Sequence, residues 1–229
     1  MPELPEVETI KNELYSNVVG RRITSLTIDD PKPVQNPLDE FTRGVSGQKI
    51  KELQRRGKYL IFSLSNGKYM IIHLRMTGAV LFNPGKVGKY ARVLFGLDDD
   101  HEMVFTDRRR LGVIRLVNDL KDLEKKLGPE PLEDAFSISV LAGRLKGRKA
   151  PIKAVLLDQK VIAGVGNMYA DEALFAAKIH PMRTAGELNK RELARLHEAI
   201  ISVLKEAVAN KGASVDTYQR PDGKKGTAH

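Results

Sequence analysis

Hydrophobic positions change their spacing twice along this chain. Between Pro5 and Gly20 the apolar residues Val7, Ile10, Leu14 and Val18 recur every three or four positions, which is the spacing of one helix face and predicts a helix ending at Gly20. From Arg22 onward the period shortens. "ITSLTI", "YLIFSL", "YMIIHLRM", "AVLFN", "RVLFGL", "MVFT" and "VIRLV" are short β-rich runs, divided by turn-forming stretches such as "SNGK" and "LDDDHE". Closely spaced short strands of this kind predict an antiparallel sandwich or barrel.

The strand pattern stops near Val117, and "NDLKDLEKKLGPEPLED", with Gly128, Pro129 and Pro131, reads as an inter-domain connection. Helical spacing follows. One helix is expected from Asp134 to Lys146, a short one over "PIKAVLLD", a third over "NMYADEALFAAK", and a long one from the capping pattern Asn189-x-x-Glu192. In the last, Leu193, Leu196, Ile200, Val203, Leu204 and Val208 form a core-facing stripe closed by Gly212. The remainder, "ASVDTYQRPDGKKGTAH", reads as loop. The expected class is therefore α+β: an N-terminal helix plus antiparallel β-sandwich or barrel in residues 1–130, then an all-helical domain in 131–229. The cleft between them is the expected ligand site.

Charge narrows the partner. The 229 residues carry a net charge of +9, which favours a polyanion and makes nucleic acid the first candidate. No apolar run is long enough for a membrane span and no signal-like leader precedes the first helix, so a cytoplasmic protein is expected. There is no Cys, and the five His show no metal-ligand spacing, so no metal or cofactor site is expected within this chain.

The first ten residues, "MPELPEVETI", hold the most pointed chemistry. Pro and acidic residues suit a helix start by themselves. A small second residue also permits removal of the initiator Met, which leaves Pro2 as a free secondary amine. A nearby helix N-terminus disfavours its cationic form and increases its nucleophilic fraction. Such an amine can attack a carbon at the aldehyde oxidation level and form an iminium, with Glu3 beside it as an acid/base group.

Taken together, "PELPEVET", "RRGKYL", "HLRMTG", "DRRRLG" and "LLDQKVIAGVGNMYADEALFAAKIHP" resemble the bacterial formamidopyrimidine-DNA glycosylase (8-oxoguanine DNA glycosylase) family over nearly the whole chain. The resemblance implies a bifunctional repair enzyme that excises oxidised purines from duplex DNA and then nicks the strand, acting as a monomer. It implies Pro2 as the nucleophile at C1′, Glu3 as the acid that assists sugar-ring opening, and Glu6 as a supporting carboxylate. Lys58 in "RRGKYL" is implied to contact phosphate and donate a proton in β-elimination; on its own it reads as a solvated turn lysine.

A target nucleotide must leave the stack, and its place must be filled. Met76, Arg109 and Leu111 match the family's void-filling triad, with Leu111 standing where Phe is usual; taken singly, Met76 and Leu111 read as core residues. Asn167, in "AGVGNMYADE", opens a helix after a Gly-rich turn and resembles the phosphate grip of a helix-two-turn-helix. Lys149 and Lys153 match basic phosphate contacts, His73 is a further candidate, and Tyr218 and Arg220 match a loop closing over the flipped base. Complete relatives carry a Cys-ligated zinc finger; here no Cys is available to hold zinc, and the finger is expected to be missing from this chain. A non-catalytic damaged-DNA-binding protein is the alternative reading. An endonuclease VIII relationship is disfavoured by "PELPE" in place of "PEGPE".

Overall fold

The computed structural model describes residues 1–213 and 218–224. The predicted first helix is α1, Leu4–Val18, and the strands that follow it build two four-stranded sheets. They are β1 (Ile23–Ile28), β2 (Ile50–Arg56), β3 (Tyr59–Leu64), β4 (Tyr69–His73), β5 (Gly78–Phe82), β6 (Ala91–Leu97), β7 (Glu102–Asp107) and β8 (Val113–Val117). One sheet has the order β1-β6-β7-β5 and the other β2-β3-β4-β8, with every named pair antiparallel. A short helix, α2 (Leu38–Val45), lies between β1 and β2.

Two of these elements escape the sequence reading. In "IKELQRR" only Ile50 and Leu53 are buried, so β2 shows no period-two alternation. The run "LDEFTRGV" is too short to display more than one helical repeat, although Phe41, Gly44 and Val45 are buried.

After β8 the chain forms α3 (Lys121–Glu124), α4 (Ile138–Leu145), α5 (Ile152–Leu156), α6 (Asn167–Ala176) and α7 (Lys190–Ala209). The capping box read at Asn189 is present: its side chain accepts from Glu192 N–H at 3.0 Å, and Glu192 accepts from Asn189 N–H at 2.8 Å. The helix expected from Asp134 begins four residues later. Ser137 caps it by accepting Val140 N–H, and Phe136 is held outside the helix, buried, with its carbonyl 2.7 Å from the His197 ring.

Two cores result. The sandwich core includes Phe62, Phe95, Phe105 and Met70 and takes Val7, Ile10, Leu14 and Val18 from α1. The helical core gathers residues such as Leu141, Ile152, Tyr169, Leu174, Leu196 and Ile200 around Leu4, from the first turn of the same helix. Helix α1 is thus shared, and its N-terminus sits where the two cores meet.

The stretch read as a connection is firmly packed. Leu123 is buried against Ile61 and Ile71. Glu130 is 4% exposed and pairs with Arg55 at 2.7 Å and Arg56 at 2.9 Å while accepting the Gly57 N–H at 2.5 Å. One carboxylate therefore fixes the turn between β2 and β3. Removing one member of a buried ion network leaves desolvated charge behind. Glu130→Ala is expected to lower stability by about 3 kcal/mol, read by urea unfolding; an unchanged midpoint would show that the remaining Glu8 and Glu124 partners suffice.

Candidate active site and nucleic-acid interface

Three chain segments converge at the start of α1. Glu3 is its N-cap; its N–H donates to Glu6 Oε2 at 2.8 Å, completing a capping box. The Glu3 carboxylate reaches across to the start of α6, where it accepts N–H groups from Gly166 at 2.6 Å and Met168 at 3.0 Å. Two helix N-termini therefore face one small volume, and their dipoles favour negative charge there. Pro2 is buried directly before this turn and Met1 is exposed. With Met1 attached the Pro2 nitrogen is an amide, so amine chemistry requires the processed chain.

The third segment is the Gly57-Lys58 turn between β2 and β3. Lys58 is only 5% exposed, which replaces the reading of a solvated turn lysine. Its place is set by backbone: Gly57 has φ +56 and is held by Glu130, and Arg55 donates to the Gly57 carbonyl at 2.9 Å. A Cβ on Gly166 would lie 2.5 Å from Glu3 Oε1 and 2.7 Å from Lys58 Nζ, so both side chains occupy the space a larger residue would need. Gly164, at φ +87, gives up its Cβ to Leu4 and accepts Leu4 N–H at 3.0 Å through its carbonyl.

Burial sets the proton affinities of this pair. It pushes the Glu3 carboxyl upward, opposed by the Lys58 charge and the Met168 and Gly166 N–H groups. It pushes Lys58 downward, opposed by Glu3 and Glu6. Glu6 is a second hub, accepting Tyr169 O–H at 2.6 Å and Ala213 N–H at 2.9 Å in addition to Glu3 N–H. The arrangement can hold an acid beside a nucleophile and a cation in one partly dehydrated site.

His73 closes β4 and is 8% exposed, packed edge-on to Tyr59 with ring centroids 4.6 Å apart. Its Nδ1 accepts Arg75 N–H at 3.1 Å. Burial, reinforced by Arg75 and Lys58, lowers its pKa to about 3, so it brings no positive charge to DNA at neutral pH. The unfolded chain binds this proton near pH 6.5 and the folded chain does not, so stability falls as pH drops below that value. Between about pH 7 and 5 the loss from this group is expected to be about 2 kcal/mol. Denaturant unfolding at the two pH values should show it, and His73→Gln should flatten that part of the profile.

Met76 and Leu111 are 42% and 43% exposed, not core residues as their types suggest singly. Each lies on a loop at the same end of the β1-β6-β7-β5 sheet, and Arg109 beside Leu111 is exposed. Asn167 is exposed at the first turn of α6, and Lys149 is exposed upstream of α5. Lys153 pairs with Asp171 at 2.8 Å, so a phosphate contact there competes with this carboxylate. Tyr218 is 6% exposed within the sandwich core, and Arg220 pairs with Glu13 at 2.5 Å. Apolar packing and a charge-assisted pair thus hold both residues against α1, with the Tyr218 hydroxyl 3.5 Å from the Glu6 carbonyl.

Several organising residues were missed in the sequence. Gln159 ties the turn before α6 together, accepting Gly164 N–H at 2.9 Å and donating to the Val165 carbonyl at 2.8 Å. Tyr169 steadies Glu6, and Asp107 is fully buried beneath the loop that bears Arg109. No local pattern marks these roles, because each partner lies in a distant segment or in backbone. The chain contains no Cys, and among the described residues no group of three or more His, Asp and Glu side chains is placed to hold a metal ion.

A helix shared between a β-sandwich and a helical domain, with a glycine-lined acid–lysine pair at its N-terminus, defines the class: a two-domain protein whose chain terminus lies where the domains meet. The formamidopyrimidine-DNA glycosylase N-terminal domain profile matches residues 1–114, and the H2TH domain profile of the same proteins matches residues 127–219. The chain belongs to the formamidopyrimidine-DNA glycosylase family. It is 42% identical over 233 residues to the formamidopyrimidine-DNA glycosylase of Streptococcus agalactiae serotype III, covering 99% of this chain and 85% of the relative. The crystal structure of the MutM (Fpg) protein from Thermus thermophilus superposes with a TM-score of 0.88 at 39% identity, covering 98% of this chain and 84% of that one. A Lactococcus lactis Fpg (MutM) complex with DNA containing N7-benzyl-Fapy-dG gives 0.89 at 34% identity, covering 97% and 85%. Among the described residues no helix is long and apolar enough to cross a membrane.

Proposed function

We propose that this protein is a base-excision-repair DNA glycosylase and AP lyase that removes oxidised purines, 8-oxoguanine and formamidopyrimidines, from duplex DNA. The carrying observation is the meeting of Glu3, Lys58 and two helix N-termini beside Pro2. In the processed chain the Pro2 nitrogen attacks C1′ of the flipped nucleotide, the bond from C1′ to the base breaks, and the proton given up by the Pro2 amine offsets the charge of the departing base. Glu3 delivers a proton to the ring oxygen as the sugar opens, leaving an iminium between Pro2 and C1′. Loss of a proton from C2′ then expels the 3′ phosphate, whose departure Lys58 assists as a phosphate contact and proton donor. A δ-elimination at the second phosphate is a further step for which no residue is identified.

Residues 1–130 supply this chemistry and the wedges Met76, Arg109 and Leu111, while residues 131–229 grip phosphate through Asn167, Lys149 and Lys153. The protein acts as a cytoplasmic monomer on damaged duplex. Borohydride reduces an iminium to a stable amine, which gives a direct test. Met-processed protein incubated with a duplex carrying 8-oxoguanine opposite cytosine is expected to give a covalent adduct. Absence of the adduct, with an active control enzyme trapping under the same conditions, overturns the reading.

A further inference from the structure

The loops that carry Met76 and Leu111 are far apart in sequence but share a foundation. Antiparallel pairing of β5 with β7 sets Gly78 opposite Asp107, so the residues before one strand and after the other emerge side by side. The Asp107 side chain is fully buried, and its carboxylate accepts four donors. Thr77 O–H and Arg109 N–H, the latter at 3.1 Å, reach Oδ1; Leu111 N–H at 2.8 Å and Gly112 N–H at 2.7 Å reach Oδ2. Thr77 Oγ1 in turn accepts the Arg109 N–H at 3.0 Å. No basic side chain is ion-paired with Asp107 among the described residues; the hydroxyl and backbone N–H donors hold its carboxylate.

The backbone around each wedge is unusual in the same way. Arg75 at φ 54 precedes Met76, and Arg110 at φ 58 precedes Leu111; non-glycine residues rarely take this conformation without support from their surroundings. Arg110 is itself tied by its side chain to Asp30 at 2.5 Å. Of the three arginines in "DRRRLG", Arg110 is therefore a strut, and Asp107 holds the backbone on both sides of it.

We propose that Asp107 and Thr77 are positioning residues that clamp the two wedge loops into one rigid unit, so that Met76, Arg109 and Leu111 enter the duplex together. This rests on the reading of those three as void fillers. A wedge that must replace a stacked nucleotide works only if its parts arrive in register; a loose loop lets the void refill with the extruded base. The clamp has no part in the chemistry at Pro2. It therefore matters for a base extruded from a duplex and not for an abasic site in single-stranded DNA, where there is no stacked partner to replace.

Thr77→Val, which removes the hydroxyl and keeps the shape, is the decisive variant; Thr77→Ser restores the hydroxyl, and Asp107→Asn is the companion. Thr77→Val is expected to excise 8-oxoguanine from duplex at least ten times more slowly in kcat, with borohydride trapping on single-stranded abasic DNA unchanged and with Thr77→Ser close to the parent. Fluorescence of 2-aminopurine placed beside the lesion should rise less on binding to Thr77→Val, reporting reduced unstacking independently of any reaction. Equal losses on both substrates, or an unchanged fluorescence response in a folded Thr77→Val protein, overturn the clamp. If the parent itself fails to trap abasic DNA, the Pro2 chemistry is what falls, and the fluorescence comparison still decides the clamp.

Discussion

Glu3→Gln is expected to slow lesion excision by about 10²- to 10⁴-fold, the range over which a positioned proton donor accelerates a reaction. The substitution keeps the size of the side chain and one carbonyl oxygen for the start of α6, but it cannot release a proton to the opening sugar. It also places an amide nitrogen near one of two backbone N–H groups that the carboxylate now satisfies. Single-turnover excision should carry the loss, while duplex affinity stays within a few-fold because the proposed wedges Met76, Arg109 and Leu111 and the proposed phosphate contacts Asn167, Lys149 and Lys153 lie outside the Glu3 site.

The pH profile separates this role from a structural one. Burial raises the Glu3 pKa, so the donor form persists to higher pH than an ordinary glutamate would allow. Excision by the parent should therefore decline as pH rises through that raised value, and the decline should vanish in Glu3→Gln. Equal excision rates in the two proteins would remove Glu3 from the mechanism.

Gly166→Ala should be nearly as damaging although the residue has no side chain to lose. Its new Cβ would sit 2.5 Å from Glu3 Oε1 and 2.7 Å from Lys58 Nζ, and these contacts are relieved only by moving the acid and the lysine together. Displacing reacting groups by about 1 Å can cost about 10²-fold in rate. Overpacking of a filled site costs about 1–3 kcal/mol in stability. Excision kinetics and urea unfolding on the same preparation should show both effects; a variant with parental kcat would mean that Glu3 and Lys58 need not occupy their observed positions.

Glycine at position 166 looks in the sequence like part of an ordinary helix-start turn. Its necessity comes from Glu3, 163 positions earlier in the chain. Local signals served well wherever the cause was local. The step of three and four in α1, the Asn189 capping box of α7 and the β-rich runs of seven strands all reflect short-range geometry and one-sided burial. They misled where the partner was remote: Lys58 is a buried residue in a turn, and Met76 and Leu111 are apolar residues left exposed.

The order of elements, the α+β class and the chemical capacity of a processed Pro2 next to Glu3 were determined by the sequence, because periodicity, capping and the reactivity of a terminal amine need only neighbouring residues. Tertiary structure alone decided that Glu3 lies on the start of α6 beside Lys58, that Glu130 holds the β2–β3 turn, and that Asp107 joins two loops into one surface. Those outcomes depend on burial, which sets the proton affinities of Glu3 and Lys58, and on strand register, which brings Gly78 opposite Asp107. Neither is a property of any short stretch of chain.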